Sequence, residues 1–287
     1  MSRNVNKGVC IITAGSPYYG GWALNLAMGL KHTDEKTNIT LLNYGLGNNH
    51  IKPYLHIFDN VIDIPKEMIL RNGFESMIRS KLFLHDLSPY EETIFIDADV
   101  IWFPFKPISQ LFDELQGLDF TIGCRSFSEL DSKPRLVWSK AEDLKQFGDK
   151  CYNLSSEFIY FRKSDKNDKF FDLCKSIFDN PPINYTRFDG GVPDELAFQI
   201  AMMMTDIKPH KVPFLPFYWE SYEKKMKKVP EIYNTEYYGY SIGGAAINSH
   251  QKLIYDNLVR FYSSKFGIKN PFLCKSKKEL FKTRTVI

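Results

Sequence analysis

The feature that most constrains this chain is an apolar strand running into two acids. Thr93-Ile94-Phe95-Ile96 is β-favouring and uncharged, meets Asp97 and Asp99, and turns apolar again at Val100-Ile101-Trp102-Phe103. With Ser88-Pro89-Tyr90 bounding its other end, the run reads as a buried strand carrying carboxylates at its carboxyl end. In extended chain, residues i and i+2 project to the same side, so Asp97 and Asp99 converge on one cation while Ala98 points away. A hard divalent ion takes carboxylate oxygens and fills its remaining positions with water or phosphate oxygens. Open α/β sheets bind ligands in the crevice beyond the carboxyl ends of their strands, so the position suits a metal and a diphosphate.

The surrounding chain supplies such a sheet. Val9-Cys10-Ile11-Ile12-Thr13 reads as a first strand, broken by Ala14-Gly15-Ser16-Pro17 and followed by a helix with Trp22, Leu24, Leu26, Ala27 and Leu30 at roughly helical spacing. Strand, small-residue loop and helix form the opening unit of a nucleotide-binding α/β fold. The loop is not Gly-x-Gly-x-x-Gly, which removes support for a dinucleotide site. Asn38 to Tyr44, Val61 to Ile64 and Phe120 to Cys124 read as further strands, and Ile108 to Leu115 as a short helix. Phe74 to Leu87 reads as the helix before the central strand, with Arg79 solvated and Lys81 close in sequence to the acids.

Arg125 to Lys150 is polar and irregular, the kind of excursion that shapes an acceptor side or a lid. Tyr152 to Arg162 places polar residues before an apolar strand, and Lys211 to Trp219 reads as an edge or core-covering strand. Pro193 followed by Asp194 and Glu195 opens a helix, where acids favour the dipole. The expected fold class is α/β, a single Rossmann-like domain whose mostly parallel central sheet is flanked by helices, plus a C-terminal extension. The domain takes residues 1–260, with a nucleotide-binding half of about 1–124, an acceptor-side half of about 125–260, and a basic tail over 261–287.

Composition narrows the class. With 44% hydrophobic and 25% charged residues, the 287-residue chain is globular and long enough for a substantial core. No apolar run approaches the ~20 residues of a membrane helix. The polar start lacks a secretory apolar region, so the expected location is cytoplasmic. Cys10, Cys124, Cys151, Cys174 and Cys274 are odd in number and scattered, which suggests neither a disulfide framework nor a zinc site. The net charge of +3 is unevenly placed: Lys224, Lys225, Lys227 and Lys228 cluster, and the tail carries Lys265, Lys269, Lys275, Lys277, Lys278, Lys282 and Arg284. Such segments meet DNA phosphates or an anionic membrane surface, or form a solvated face. Phe266, Phe272, Leu273 and Phe281 tilt the tail toward amphipathic surface binding.

Lys81-Leu82, Leu87-Ser88-Pro89-Tyr90 and Asp97-Ala98-Asp99 together resemble the Asp-x-Asp region of GT-A glycosyltransferases, most closely the glycogenin and bacterial lipopolysaccharide galactosyltransferase group of family 8. The likeness spans roughly Val9 to Met204 and loosens beyond. It implies a retaining transferase that uses Mn²⁺ or Mg²⁺ and a nucleotide-diphosphate sugar, most naturally a UDP-sugar. It places Asp97 and Asp99 on the metal, with Asp97 and Ala98 also at the nucleotide, and Lys81 on the diphosphate. Thr13 and Ala14 border the nucleotide, and Tyr18 stacks on the base. Asn153 bonds sugar hydroxyls, although an extra residue intervenes and Ser155-Ser156 stands where the family has small residues. Gly190-Gly191 and Asp194-Glu195 match a Gly-Gly-Asp-Gln helix start facing the sugar, with two residues inserted and Glu for Gln; Asp194 and Glu195 are thus the catalytic candidates. The family's third metal ligand, a His, falls near Tyr240 and Ser241, so His250 is the candidate. The acceptor stays open between a saccharide or lipid-linked oligosaccharide and hydroxylated bases of phage DNA. A non-catalytic nucleotide-sugar-binding module and a sugar-phosphate nucleotidyltransferase are the competing readings, the latter weakened because the loop from Ala14 to Gly21 holds no Lys or Arg.

Overall fold

Side chains that project alternately to the two faces of the central sheet build two cores, one on each face. The computed structural model describes residues 6–14, 17–45, 51–132, 134, 136–188, 191–218, 236–242, 249–269 and 271–273. The chain opens with β1 (Lys7–Ala14), α1 (Pro17–Thr33), β2 (Asn38–Tyr44) and β3 (Asn60–Asp63). A hairpin of β4 (Leu70–Arg71) and β5 (Phe74–Glu75) turns through Asn72 and Gly73, whose φ values of 51° and 82° are those a tight two-residue hairpin turn demands. A 3-10 segment (Met77–Phe83) leads into α2 (Leu84–Leu87), β6 (Glu92–Ile96), β7 (Val100–Trp102) and α3 (Ile108–Glu114). Then come β8 (Phe120–Glu129), α4 (Ala141–Leu144), β9 (Lys150–Arg162), α5 (Asp165–Asp179), α6 (Asp194–Met204), β10 (Phe217–Tyr218), β11 (Gly239–Ser241) and α7 (Ser249–Lys265).

Among the described residues the central sheet has six strands in the order β3-β2-β1-β6-β9-β8. The pairs among β3, β2, β1 and β6 are parallel, and β9 is antiparallel to both β6 and β8. Val9 and Ile11 of β1, Ile94 and Ile96 of β6, and Phe158 and Tyr160 of β9 enter one core, with α1, β7 and α7. Cys10, Phe95, Ile159 and Phe161 enter the other, with α5 and α6. Both faces being covered, these strands have to be continuously apolar, which is why they stood out in the sequence. A smaller sheet of β10, β11 and β7 packs over the first core. There α1 approaches β7 so closely that a Cβ on Gly29 would meet Trp102 Cβ at 2.8 Å.

Several sequence expectations change. The stretch from Phe74 to Leu87 is not one helix: it holds β5, the 3-10 segment and the single turn of α2. Arg79 is not solvated; it is 9% exposed, pairs with both carboxylate oxygens of Asp179 at 2.8 and 2.6 Å, and donates to Glu67 O at 2.8 Å. The strand begun at Phe120 continues to Glu129, because β9 is long enough to pair with it across two register shifts. The boundary at 124 therefore falls inside β8, and the boundary at 260 falls inside α7. From Lys211 onward, Phe214 forms an isolated bridge to Cys124, and only Phe217–Tyr218 is strand. Phe272 and Leu273 pack on the first core instead of facing out, and Asn25 donates to Phe272 O at 2.8 Å. Lys265 and Lys269 are exposed, whereas Lys224 to Lys228 and the tail from Cys274 lie outside the described residues. Cys10, Cys124, Cys151 and Cys174 are free and buried, and burial pushes each thiol upward. No helix among the described residues is long and apolar enough to cross a membrane.

Candidate active site

The acids sit where the chain leaves the central sheet. β6 ends at Ile96, and Val100 N–H donates back to Asp97 O at 3.2 Å, so Asp97 to Val100 is a tight turn that hands the chain to β7 in the smaller sheet. The expectation of an extended Asp97-Ala98-Asp99 is corrected by that bond: the two acids occupy corners of a turn, and Ala98 is turned inward at 3% exposure. Asp97 N–H donates to Glu157 O at 3.0 Å, and Ile242 N–H donates to Asp99 O at 3.1 Å, so the turn is held from both sides.

Lys81, from the 3-10 segment, ties this turn to the start of α6. Its Nζ donates to Asp97 Oδ2 at 2.8 Å and to Ser156 Oγ at 3.2 Å, and it lies 3.6 Å from Asp194 Oδ2. Pro193 caps α6 in extended conformation, which sets Asp194 and Glu195 in the first turn; Asp194 is 2% exposed. On the far side of the turn Ser241 Oγ donates to Glu157 Oε1 at 3.0 Å, and Arg125 donates to Ser155 Oγ at 3.1 Å. Sequence reasoning missed Glu157 and Arg125 as neighbours of the acids, and gave Ser156 and Ser241 no contact with this cluster. An acid opening the apolar run Phe158 to Phe161 was the one visible signal.

Acids outnumber bases here. Burial pushes the Asp97 carboxyl up to about 7, with Lys81 pulling it down and Asp99 and Asp194 adding to the rise. Burial, then Asp99 and Asp97, push Glu157 up to about 8. Burial and then Asp194 hold Glu195 well above the usual carboxylate range. Burial works against the charge on Lys81, yet Asp97, Asp194 and Glu195 together hold its ammonium above the ordinary lysine value. A cluster of hard oxygen donors in which the carboxylates are short of positive charge fits a divalent cation such as Mn²⁺ or Mg²⁺. Asp97 and Asp99 are the residues that would hold it. Among the described residues, the one group of three His, Cys, Asp or Glu side chains whose ligand atoms lie within 4.8 Å of one another is elsewhere: His85, Asp86 and Asp168 on α2 and α5. Asp86 there already pairs with Lys175 at 3.0 Å.

The other expected residues distribute around this cluster. β1 pairs with β6 only as far as Cys10 opposite Phe95, so the later residues Thr13 and Ala14 lie at the same carboxyl edge as the acids. Thr13 is buried, with Oγ1 3.5 Å from Asn43 Oδ1. Tyr18 is half-buried and packs against the first core. Asn153 lies opposite Ser126 in the β8–β9 ladder and shares a cavity with Glu195. Gly191 exchanges both backbone bonds with Phe188, at 2.8 and 3.0 Å. Gly190 lies outside the described residues, as does the side chain of His250 at the start of α7. Tyr240 and Ser241, where the third ligand was sought, are both buried.

No protein-family model matches the sequence, and no curated protein matches it. Solved structures do match in three dimensions. The bifunctional glycosyltransferase WbbM superposes with a TM-score of 0.58 at 14% identity over 98% of this chain, which spans about half of it, 52%. The galactosyltransferase LgtC, solved with donor and acceptor sugar analogs, gives a TM-score of 0.56 at 12% identity, covering 90% of this chain and 95% of that one. Mouse xyloside xylosyltransferase 1 gives 0.52 at 12% identity, covering 84% and 98%. The chain therefore has the GT-A fold that these glycosyltransferases share.

Proposed function

We propose that the protein is a metal-dependent glycosyltransferase that moves a sugar from a nucleotide-diphosphate sugar, a UDP-sugar, to a hydroxyl of a saccharide or lipid-linked acceptor, with retention at the anomeric carbon. The observation that carries the reading is Lys81, whose single ammonium joins the strand-end acid Asp97 to Asp194 at the start of α6. In this reading Asp97 and Asp99 hold Mn²⁺ or Mg²⁺, and the bound ion supplies Lewis-acid polarisation of the leaving diphosphate. Lys81 places positive charge where negative charge builds on the departing nucleotide. Thr13 and Ala14 border the nucleotide and Tyr18 stacks on its base.

Asp194 and Glu195 face the sugar, orienting it and stabilising the positive charge that develops at the anomeric carbon. The electron pair of the broken carbon–oxygen bond leaves with the nucleoside diphosphate. The acceptor hydroxyl passes its proton to the departing diphosphate oxygen as its own oxygen bonds to the anomeric carbon. The test is hydrolysis and transfer of UDP-sugars with Mn²⁺. Asp99→Asn is expected to lower turnover by about 100-fold or more, with an unchanged circular dichroism spectrum. Undiminished turnover of the wild type in chelator-treated buffer would remove the metal from the reading.

A further inference from the structure

We propose that the cavity beside Glu195 seats the acetamido group of the transferred sugar, so that the donor is a nucleotide-diphosphate N-acetylhexosamine; this rests on the glycosyltransferase reading of the neighbouring acids. The cavity opens between the segment 136–139, the start of β9 and the first turns of α6. At about 30 Å³ it has room for two or three groups the size of water, not for a pyranose ring. A substituent is therefore what enters it.

Its walls choose the substituent. Leu144, Leu154 and Leu196 line it and are buried, with Trp138 beside them. Gln199 borders it at 6% exposure. Tyr152 N–H donates to Gln199 Oε1 at 2.8 Å, which fixes the orientation of the amide. Gln199 Nε2 is then left buried with no hydrogen-bond partner among the described residues. A buried N–H beside a cavity calls for an acceptor oxygen. An acetamido group answers both features, its carbonyl oxygen accepting from Nε2 and its methyl lying among the leucines. A hydroxyl has no methyl to fill the apolar part. A uronate carboxylate would be buried against leucines in a cavity lined, among the described residues, by no Lys or Arg.

Position agrees with chemistry. Glu195 lines the cavity and directly follows Asp194, whose carboxylate shares Lys81 with Asp97.

The full chain is titrated calorimetrically, with Mn²⁺ present, against UDP, UDP-glucose, UDP-galactose and their N-acetylated counterparts. The N-acetylated donors are expected to bind about tenfold or more tightly than the parent hexoses. Val137→Phe, at an exposed position on the cavity wall, is expected to remove that preference while leaving UDP affinity unchanged. Gln199→Glu keeps an acceptor for Tyr152 N–H, removes the free donor, and is expected to do the same. Parent hexoses binding as tightly as the N-acetylated donors would overturn this inference and leave the proposed function standing. A preference that survives both variants would overturn the role of the cavity. Binding of neither UDP nor any UDP-sugar would overturn the proposed function, and this inference with it.

Discussion

Asp97 lies between the ammonium of Lys81 and the acids Asp99 and Asp194, and burial dominates, lifting its carboxyl to about 7. Glu157, lifted by burial and then by Asp99 and Asp97 to about 8, behaves alike. Folding thus favours the protonated form of both. The stability they contribute is complete below the unfolded values near 4 and is lost as pH rises through about 7 and about 8. Protein free of divalent ions is expected to show a Tm that falls from about pH 5 to about pH 9. Glu157→Gln, uncharged and still able to accept from Ser241, is expected to flatten that fall in part. A metal-free Tm that rises over the range would contradict the assignment. Mn²⁺ added at the alkaline end is expected to raise the Tm of the wild type and to have little effect on Asp99→Asn, as read by differential scanning fluorimetry.

Elements, not single residues, hold the turn of acids in place. β7 departs from the central sheet because β11 receives it, and α1 and α7 press Trp102 from behind, with Tyr262 donating to Trp102 O at 2.5 Å. Gly29→Val would push a branched side chain into the Trp102 contact. It is expected to cost about 1–3 kcal/mol, measured by urea denaturation. The 3-10 segment carrying Lys81 is anchored at its other side by Arg79 on the last residue of α5. Asp179→Ala leaves that guanidinium nearly buried without its carboxylate and is expected to cost about 3 kcal/mol. Loss of stability without any change in Mn²⁺ affinity is the pattern these two variants should share. A fall in Mn²⁺ affinity at full stability would place Arg79 in the site instead of beneath it.

At the scale of the molecule, the two cores bring the 81–99 stretch and the start of α6 to one edge of the sheet. A UDP-sugar at a hundredfold excess over its Kd, with Mn²⁺, is expected to stabilise the whole chain by about 2.7 kcal/mol. No shift in Tm with any nucleotide sugar would count against that edge as a donor site. Strands β1, β2, β6 and β9, the helix start at Asp194 and the acids at a strand end were legible from residues alone, because local period and turn chemistry carry them. The extended reading of Asp97 to Asp99 failed because a bond from Val100 closes a turn there. Arg79 was misread because its partner lies on α5, far along the chain. The sequence by itself determined which segments are strands and where the acids stand along them, since those follow from nearest-neighbour patterns. Only the tertiary structure decided that Lys81 meets both Asp97 and Asp194, that Glu157 lies half-buried near them, and that the Gln199 amide nitrogen has no partner among the described residues where it borders a cavity. Those are outcomes of how two cores close on one sheet, and no local pattern encodes them.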